Sequence, residues 1–411
     1  MSNVGIIGGG VSGVISAIYA SKNGNKVTIL EKNNDILKKL LITGSGRCNY
    51  FNSDQNIKHY HSKNEEYLKK IITKENTKEL CKFYDSIGIV PKIKDGYYYP
   101  YSNMAISVKN ALVTEVLKSN IKVTCNYDVK SVDYKNNEFV INNDKHFDKL
   151  IISTGSKAYP KTGSDGFGYS LVKKLGHTIN EVKPALVSLC SDDKILNIIS
   201  GVRANAKISL YHFDELLKEE IGEVQFVKNE VSGICTFNLS YLVTKNNDVR
   251  INFMPFIKVE EYDDFMLKNK NKRVKEILNG ILNPKLILAI IKRCNINEEK
   301  YFYELSKKEK ELLKENLISF RIDIKGKGPF DKAQICMGGV PLNEIDIKSM
   351  KSKINENLYI TGEMLDVNGD CGGYNLTFAF ISGYLSGNSA RYCTESQYFP
   401  LPASPDLLRP V

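Results

Sequence analysis

A run of closely spaced glycines constrains this chain more than any other feature. Val4-Gly5-Ile6-Ile7 reads as a short buried strand. Gly8-x-Gly10-x-x-Gly13 follows at once and leads into a helix from Val14 to about Asn23. Gly8 permits a tight turn, Gly10 lets the backbone approach a pyrophosphate, and Gly13 lets the helix lie close against the strand. The exposed N–H groups and dipole of the helix N-terminus, at Val11 and Ser12, then favour phosphate. A second strand, Lys26 to Leu30, ends in Glu31-Lys32, and Glu31 stands where a carboxylate accepts hydrogen bonds from a ribose 2′-OH. The pattern predicts an α/β, Rossmann-like nucleotide-binding fold. It does not say which dinucleotide is bound.

The same apolar run could serve as the middle of a secretory signal, but only Met1, Ser2 and Asn3 precede it and none is charged. The longest later apolar run, Leu286 to Ile291, is far shorter than the roughly 20 residues that span a bilayer. With 42% hydrophobic and 25% charged residues in 411, the expectation is a globular protein of two or three domains, without a membrane segment. Its nine cysteines include no C-x-x-C pair and no histidines at ligand spacing, so neither a metal site nor a disulfide framework is expected, and a cytoplasmic location is. The net charge of +10 fits a polyanionic partner, and it fits equally a general enrichment in Lys, Asn and Ile.

Three further stretches carry a resemblance: KKLLITGSGRCNYFN (38–52), LIISTGSKAYPKTGSDGFGYSL (150–171) and LYITGEMLDVNGDCGGYNLTFAFISGYLSG (358–387), with DGYYYPYSNMAISV (95–108) and FDKAQICMGGV (330–340) as lesser landmarks. Together with the opening glycines they resemble the BaiN/RdsA-type FAD-dependent oxidoreductases, also known as aminoacetone-oxidase-family FAD-binding enzymes. The resemblance implies a glutathione-reductase-type FAD fold. The ADP half would lie on Gly8, Gly10, Val11, Ser12, Gly13, Glu31 and Lys32. The flavin would be covered by Gly44, Gly46, Arg47, Cys48 and Asn49 and by the C-terminal return at Gly362, Glu363, Gly373, Tyr374, Asn375 and Leu376, with Val129, Thr154 and Gly155 between. A helix beginning near Gly373 would stabilise the negative charge of reduced flavin. Three positions depart from the family pattern: Tyr97 stands where an arginine is usual, Cys336 replaces a threonine, and Cys371 lies at a variable position.

The FAD-binding domain is expected in two parts, 1–187 and 333–390. Alternation in AKISLYHF and VRINFMPF predicts a β-rich subdomain over 188–258, and helical spacing in KRVKEILNGIL and ELLKENLISF predicts a helical subdomain over 259–332, broken at Pro284. The last residues, 391–411, lack Lys, Ile and Asn and carry four prolines, which fits an unstructured terminus or a non-native extension.

Chemistry on a flavin needs one protein group to supply or accept a proton. Cys48 is one candidate, against the alternative of a small residue packing its loop. Arg47 would hold an anionic substrate or a phosphate, or cap the loop. Tyr374 and Asn375 would fix substrate or flavin, or Asn375 would cap a helix. The cluster Tyr97-Tyr98-Tyr99-Pro100-Tyr101 reads as a strand edge in preference to a stacking platform. The five histidines show no triad-like company in the sequence.

Three functions follow from the resemblance and the residues. A reductase would add hydride from reduced FAD to an activated C=C bond, including uridine in large-subunit rRNA. An oxidase would act on a small amine such as aminoacetone and release peroxide. A non-catalytic FAD-dependent RNA-binding or scaffold protein would do neither. No second Gly-x-Gly-x-x-Gly follows a strand, so NAD(P)H would visit only as a transient donor. Oligomeric state is not readable. For an rRNA substrate, the expected contact surface is the helical insert, where residues 263–331 hold 16 Lys plus Arg against 11 Asp plus Glu. Its densest part, Lys268, Lys270, Lys272, Arg273 and Lys275, is expected on one helix.

Overall fold

The computed structural model describes residues 1–391, so the expectation for the tail lies almost wholly outside the described residues. Apolar strands that stay buried on both faces need helices on both sides, which is the condition for a parallel sheet. Asn3–Ile7 satisfies it, lying between two parallel neighbours, Lys26–Leu30 and Lys149–Ile152. Lys122–Thr124 extends the sheet on one side and Leu358–Ile360 on the other, both parallel, and two short antiparallel strands complete seven. The chain thus leaves this sheet after Lys149–Ile152 and returns to it with Ile345–Asp346, Lys351–Ser352 and Leu358–Ile360.

The first helix, Val11–Lys22, begins three residues earlier than the apolar pattern alone indicated, because Gly10 is already its N-cap. It packs along the C-terminal helix, Tyr374–Ser389. A Cβ at Gly383 would stand 2.5 Å from Ser12 O, and one at Gly387 2.4 Å from Ser16 O, so glycine is what lets the two backbones touch. The Ser16 and Ser386 hydroxyls close the contact at 2.8 Å.

Between the halves, Asn180–Ala185 and Ile335–Gly339 pair antiparallel and lead to an inserted module. Its seven-stranded sheet is antiparallel throughout, with the hairpin Arg203–His212 and Glu215–Val227 at its centre. The helices Tyr262–Lys268, Val274–Asn279, Pro284–Arg293 and Lys307–Ile318 share one hydrophobic core with it. The β-rich and helical stretches of the insert therefore share a single core. The helical stretch also ends in a strand, Phe320–Ile324, whose alternate residues Phe320, Ile322 and Ile324 are buried. Pro284 breaks the pattern by starting a helix: it sits in the first turn, where its missing N–H costs nothing, and Asn283 caps Lys285 N at 3.0 Å.

The basic stretch is not one helix. Lys268 ends one helix, a turn intervenes, and Val274 starts the next. Arg273 and Lys275 both pair with Glu299, which removes much of their free charge. Among the described residues no helix is long and apolar enough to cross a membrane.

Candidate functional site

One cavity of about 960 Å³ runs from the glycine turn to the wall of the inserted module. At the first end, the three fingerprint glycines divide their work in the way local sterics require. A Cβ at Gly8 (φ +103°) would meet Ser153 O at 2.5 Å, and one at Gly13 would meet Gly8 O at 2.1 Å. One at Gly10 would meet nothing within 4 Å. The empty space a phosphate needs lies above Gly10, and no side chain caps the helix that begins beside it. Glu31 is buried on the cavity wall: its Oε2 accepts Gly9 N at 2.7 Å, and its Oε1 accepts the backbone and side-chain nitrogens of Asn33 at 2.8 and 2.7 Å. A carboxylate has about four lone-pair sites, so capacity for one ribose hydroxyl remains. Lys32, Val129, Thr154 and Gly155 line the same end.

The C-terminal helix supplies a second uncapped N-terminus, at Gly373 (φ +97°). Ser12 lies against Gly383 and Ser16 against Gly387, so the two helices run in the same direction, and the second starts about eight residues, or roughly 12 Å, further along the cavity. One cavity therefore receives two positive helix ends in series. The first suits a pyrophosphate and the second an anionic ring edge, which is the charge distribution of a reduced flavin dinucleotide. Asn375 does not cap this helix; its side chain accepts Gly369 N and donates to Gly369 O, both at 2.8 Å, and so clamps the loop before it. Gly373, Asn375 and Leu376 line the cavity.

The Gly44–Asn49 loop reaches the cavity through Gly44, Ser45, Arg47 and Asn49. Gly44, Ser45, Gly46 and Cys48 all adopt positive φ, and Arg47 and Asn49 face the cavity while Cys48 does not. The Cys48 side chain is fully buried in the core, and burial pushes its thiol up to about 12, against a weaker opposing hydrogen bond from Thr43. It cannot act as the cavity's proton donor, which corrects that expectation. Arg47 is exposed, its guanidinium 5.3 Å from the Tyr99 ring centre. Gly46 and Gly13 serve backbone geometry away from the cavity surface. Gly362 also lies off it: its N–H donates to Ser382 Oγ at 3.0 Å, while Glu363 is on the cavity and pairs with Lys39 at 2.7 Å.

Tyr374 is corrected as well. It is buried away from the cavity, stacked on His59 with ring centres 4.6 Å apart and 17° between planes. His59 and His61 flank the buried Asp370, at 3.0 and 3.1 Å, and Lys218 of the inserted module approaches it at 3.5 Å. Burial opposes the charge on Asp370, but His61, Lys218 and His59 together outweigh it and hold the carboxyl below the usual range. The pairing of Tyr60–His61 with Asn368–Gly369 creates this cluster, and no spacing in the sequence announces it. His177 also has company: its ring nitrogens lie 2.8 Å from Glu344 and from Ser352 Oγ. His177 and Ser352 are buried and Glu344 half-buried, none lines the cavity, and Ser352 Oγ already accepts the N–H groups of Ile354 and Asn355, so the set staples the loop.

The aromatic segment is a strand, Tyr97–Pro100, but it occupies the centre of a three-stranded sheet and not an edge. Period-two alternation puts Tyr97 and Tyr99 on the cavity wall and sends Tyr98 inward against Phe51. To the same cavity the inserted module contributes Arg203, Glu223, Gln225, Ile234 and Phe237. These residues come from a segment far away in the chain, and sequence reasoning missed them.

The chain matches the model of the HI0933-like protein Rossmann domain over residues 2–389. It is 34% identical over 405 residues to the 3-dehydro-bile acid delta(4,6)-reductase of Clostridium scindens, a match covering 95% of this chain and 99% of that one. It is 26% identical over 388 residues to the ribosomal RNA dihydrouridine synthase of Haemophilus influenzae, covering 92% and 96%, and 24% identical over 388 residues to that of Escherichia coli, covering 92% and 95%. A glycine turn open above Gly10, an acid at the end of the second strand and a second helix end further along one cavity are what an extended FAD requires, and with a family match over nearly the whole length the chain belongs to the HI0933-like, BaiN/RdsA-type family of FAD-dependent oxidoreductases.

Proposed function

We propose that this enzyme reduces a carbon–carbon double bond conjugated to a carbonyl group in a neutral, flat substrate. Bound FAD supplies the hydride chemistry, with NAD(P)H as a visiting donor. The observation that carries the reading is the cavity's apolar lining beyond the nucleotide end, to which Tyr97, Tyr99, Ile234, Phe237, Leu186 and Ile335 contribute. Such walls bury a conjugated ring system and leave an ammonium group poorly served. The carboxylate on the module's wall, Glu223, is already paired with Arg203 at 2.8 Å, which argues against capture of a small amine such as aminoacetone. The relatives support the chemistry: reduction of a 3-dehydro-bile acid and formation of dihydrouridine both add two hydrogens across a double bond.

Reduced enzyme mixed anaerobically with a steroid 4,6-dien-3-one should reoxidise in a single phase and yield the saturated bond. In air without substrate it should reoxidise slowly. Rapid flavin reduction by aminoacetone with matching peroxide would replace this reading with the oxidase.

Uridine in large-subunit rRNA is a second reading, favoured by one surface feature. Tyr301 and Tyr303 stack at 5.6 Å and 23°, and Lys270 and Asn271 share a recess with them, a combination that suits a base and its phosphate. Binding of an rRNA fragment should weaken as salt rises, and Lys270→Gln should flatten the slope by about 0.7. An unchanged slope removes this surface from the reading.

A further inference from the structure

We infer that Tyr97 is the proton donor of this enzyme, its phenol delivering a proton to the carbon that does not receive hydride. The inference rests on the proposed double-bond reduction, which needs one proton per turnover at the substrate end of the cavity. Tyr97 is half-buried on the cavity wall, against the turn that starts the C-terminal helix: a Cβ at Gly372 would stand 2.8 Å from its Cε1. Among the described residues no hydrogen bond engages its hydroxyl; Tyr99 shares the wall with the Arg47 guanidinium over its ring, and other neighbouring groups are engaged or turned away. Cys48 points into the core, Glu223 is held by Arg203, and Lys332 is held by Glu230 at 2.6 Å. Strand alternation explains the placement, since the residue two before Tyr99 must share its face. Burial raises the phenol's pKa, with Tyr99 and Cys371 adding to the effect, so the group carries its proton at neutral pH.

The step balances as follows. Bound reduced FAD would supply the hydride, and with it two electrons, to the carbon β to the carbonyl. The double bond shifts to an enolate, the Tyr97 O–H bond breaks, and its proton forms the second C–H bond at the α carbon. Water then returns a proton to the phenolate.

The test compares wild type, Tyr97→Phe and Cys371→Ala as holoenzymes. Wild type run in deuterium oxide should place one deuterium at the α carbon on a single face. Tyr97→Phe should keep FAD affinity and dithionite reduction unchanged, slow reoxidation by the dienone about 10²–10⁴-fold, and scatter the residual α-deuterium over both faces. 3-Fluorotyrosine at position 97 should show a fluorine resonance that moves when the saturated ketone binds the oxidised holoenzyme. Full rate with single-face deuterium in Tyr97→Phe, loss of both in Cys371→Ala, or an unmoved resonance each overturns the assignment. A wild type that reduces no conjugated alkene overturns the proposed function itself, a result separable from these because it appears before any variant is made.

Discussion

The Glu31 carboxylate accepts the backbone N–H of Gly9 at 2.7 Å, so the residue placed to bind the ribose also holds the phosphate turn in shape. Glu31→Ala should therefore do two things. FAD affinity should fall by about 1.5–3 kcal/mol for a lost charge-assisted bond, and the apoprotein should melt earlier because Gly9 N and Asn33 lose a buried acceptor. Flavin-fluorescence titration and apoprotein melting check the two parts, and an unchanged apoprotein melting temperature would deny Glu31 its structural role.

Gly10 and Gly13 should separate binding from folding. Gly10 has φ −72° and open space beyond its missing Cβ, so Gly10→Ala should fold with stability within about 1 kcal/mol of wild type and lose FAD affinity at least about tenfold. Gly13→Ala must push a methyl group against Gly8 O, and should cost about 1–3 kcal/mol or prevent folding. Equilibrium urea unfolding of the two apoproteins distinguishes them.

Cys48→Ala should leave flavin reduction and substrate turnover unchanged and cost about 1–2 kcal/mol of stability, because the thiol fills core volume and does not face the cavity. Native protein treated with iodoacetamide at pH 8 should stay unlabelled at Cys48, whose thiol titrates only near about 12. Fast labelling there would contradict its burial.

Lys327 gives a pH dependence of known sign. Burial, with Lys183 adding to it, lowers this lysine to about 8, while the unfolded chain titrates near 10.5. Below about pH 8 both states are protonated and the folded protein bears the whole cost of the buried charge. The cost fades as pH climbs from 8 towards 10.5. Lys327→Met should thus stabilise the protein by about 2 kcal/mol at pH 7, with the advantage shrinking above pH 8, as melting curves across pH would show. A gain that grows with pH would reverse the argument.

The nucleotide end of the site was legible in the sequence because its geometry is local. A turn with space above Gly10, a helix packed through Gly13 and an acid at the end of the next strand involve residues within one βαβ unit, and each requirement excludes most residue types at its position. The same held for the tyrosine strand, whose existence, though not its central place in a sheet, followed from composition. The substrate end was a different matter. Gly44–Asn49 is a turn of mixed positive and negative φ, and nothing in the letters GRCN says that Arg47 and Asn49 face the cavity while Cys48 faces the core. Burial of the Cys48 side chain in the same core as Tyr50 and Tyr84 decides it. Likewise Asp370 meets His59, His61 and Lys218 only because a two-residue strand pair and a hairpin from the inserted module converge there. Spacing along a chain specifies contacts within a turn or a helix; which distant side chains share a wall depends on how whole sheets and helices pack, and that was settled by the tertiary structure alone.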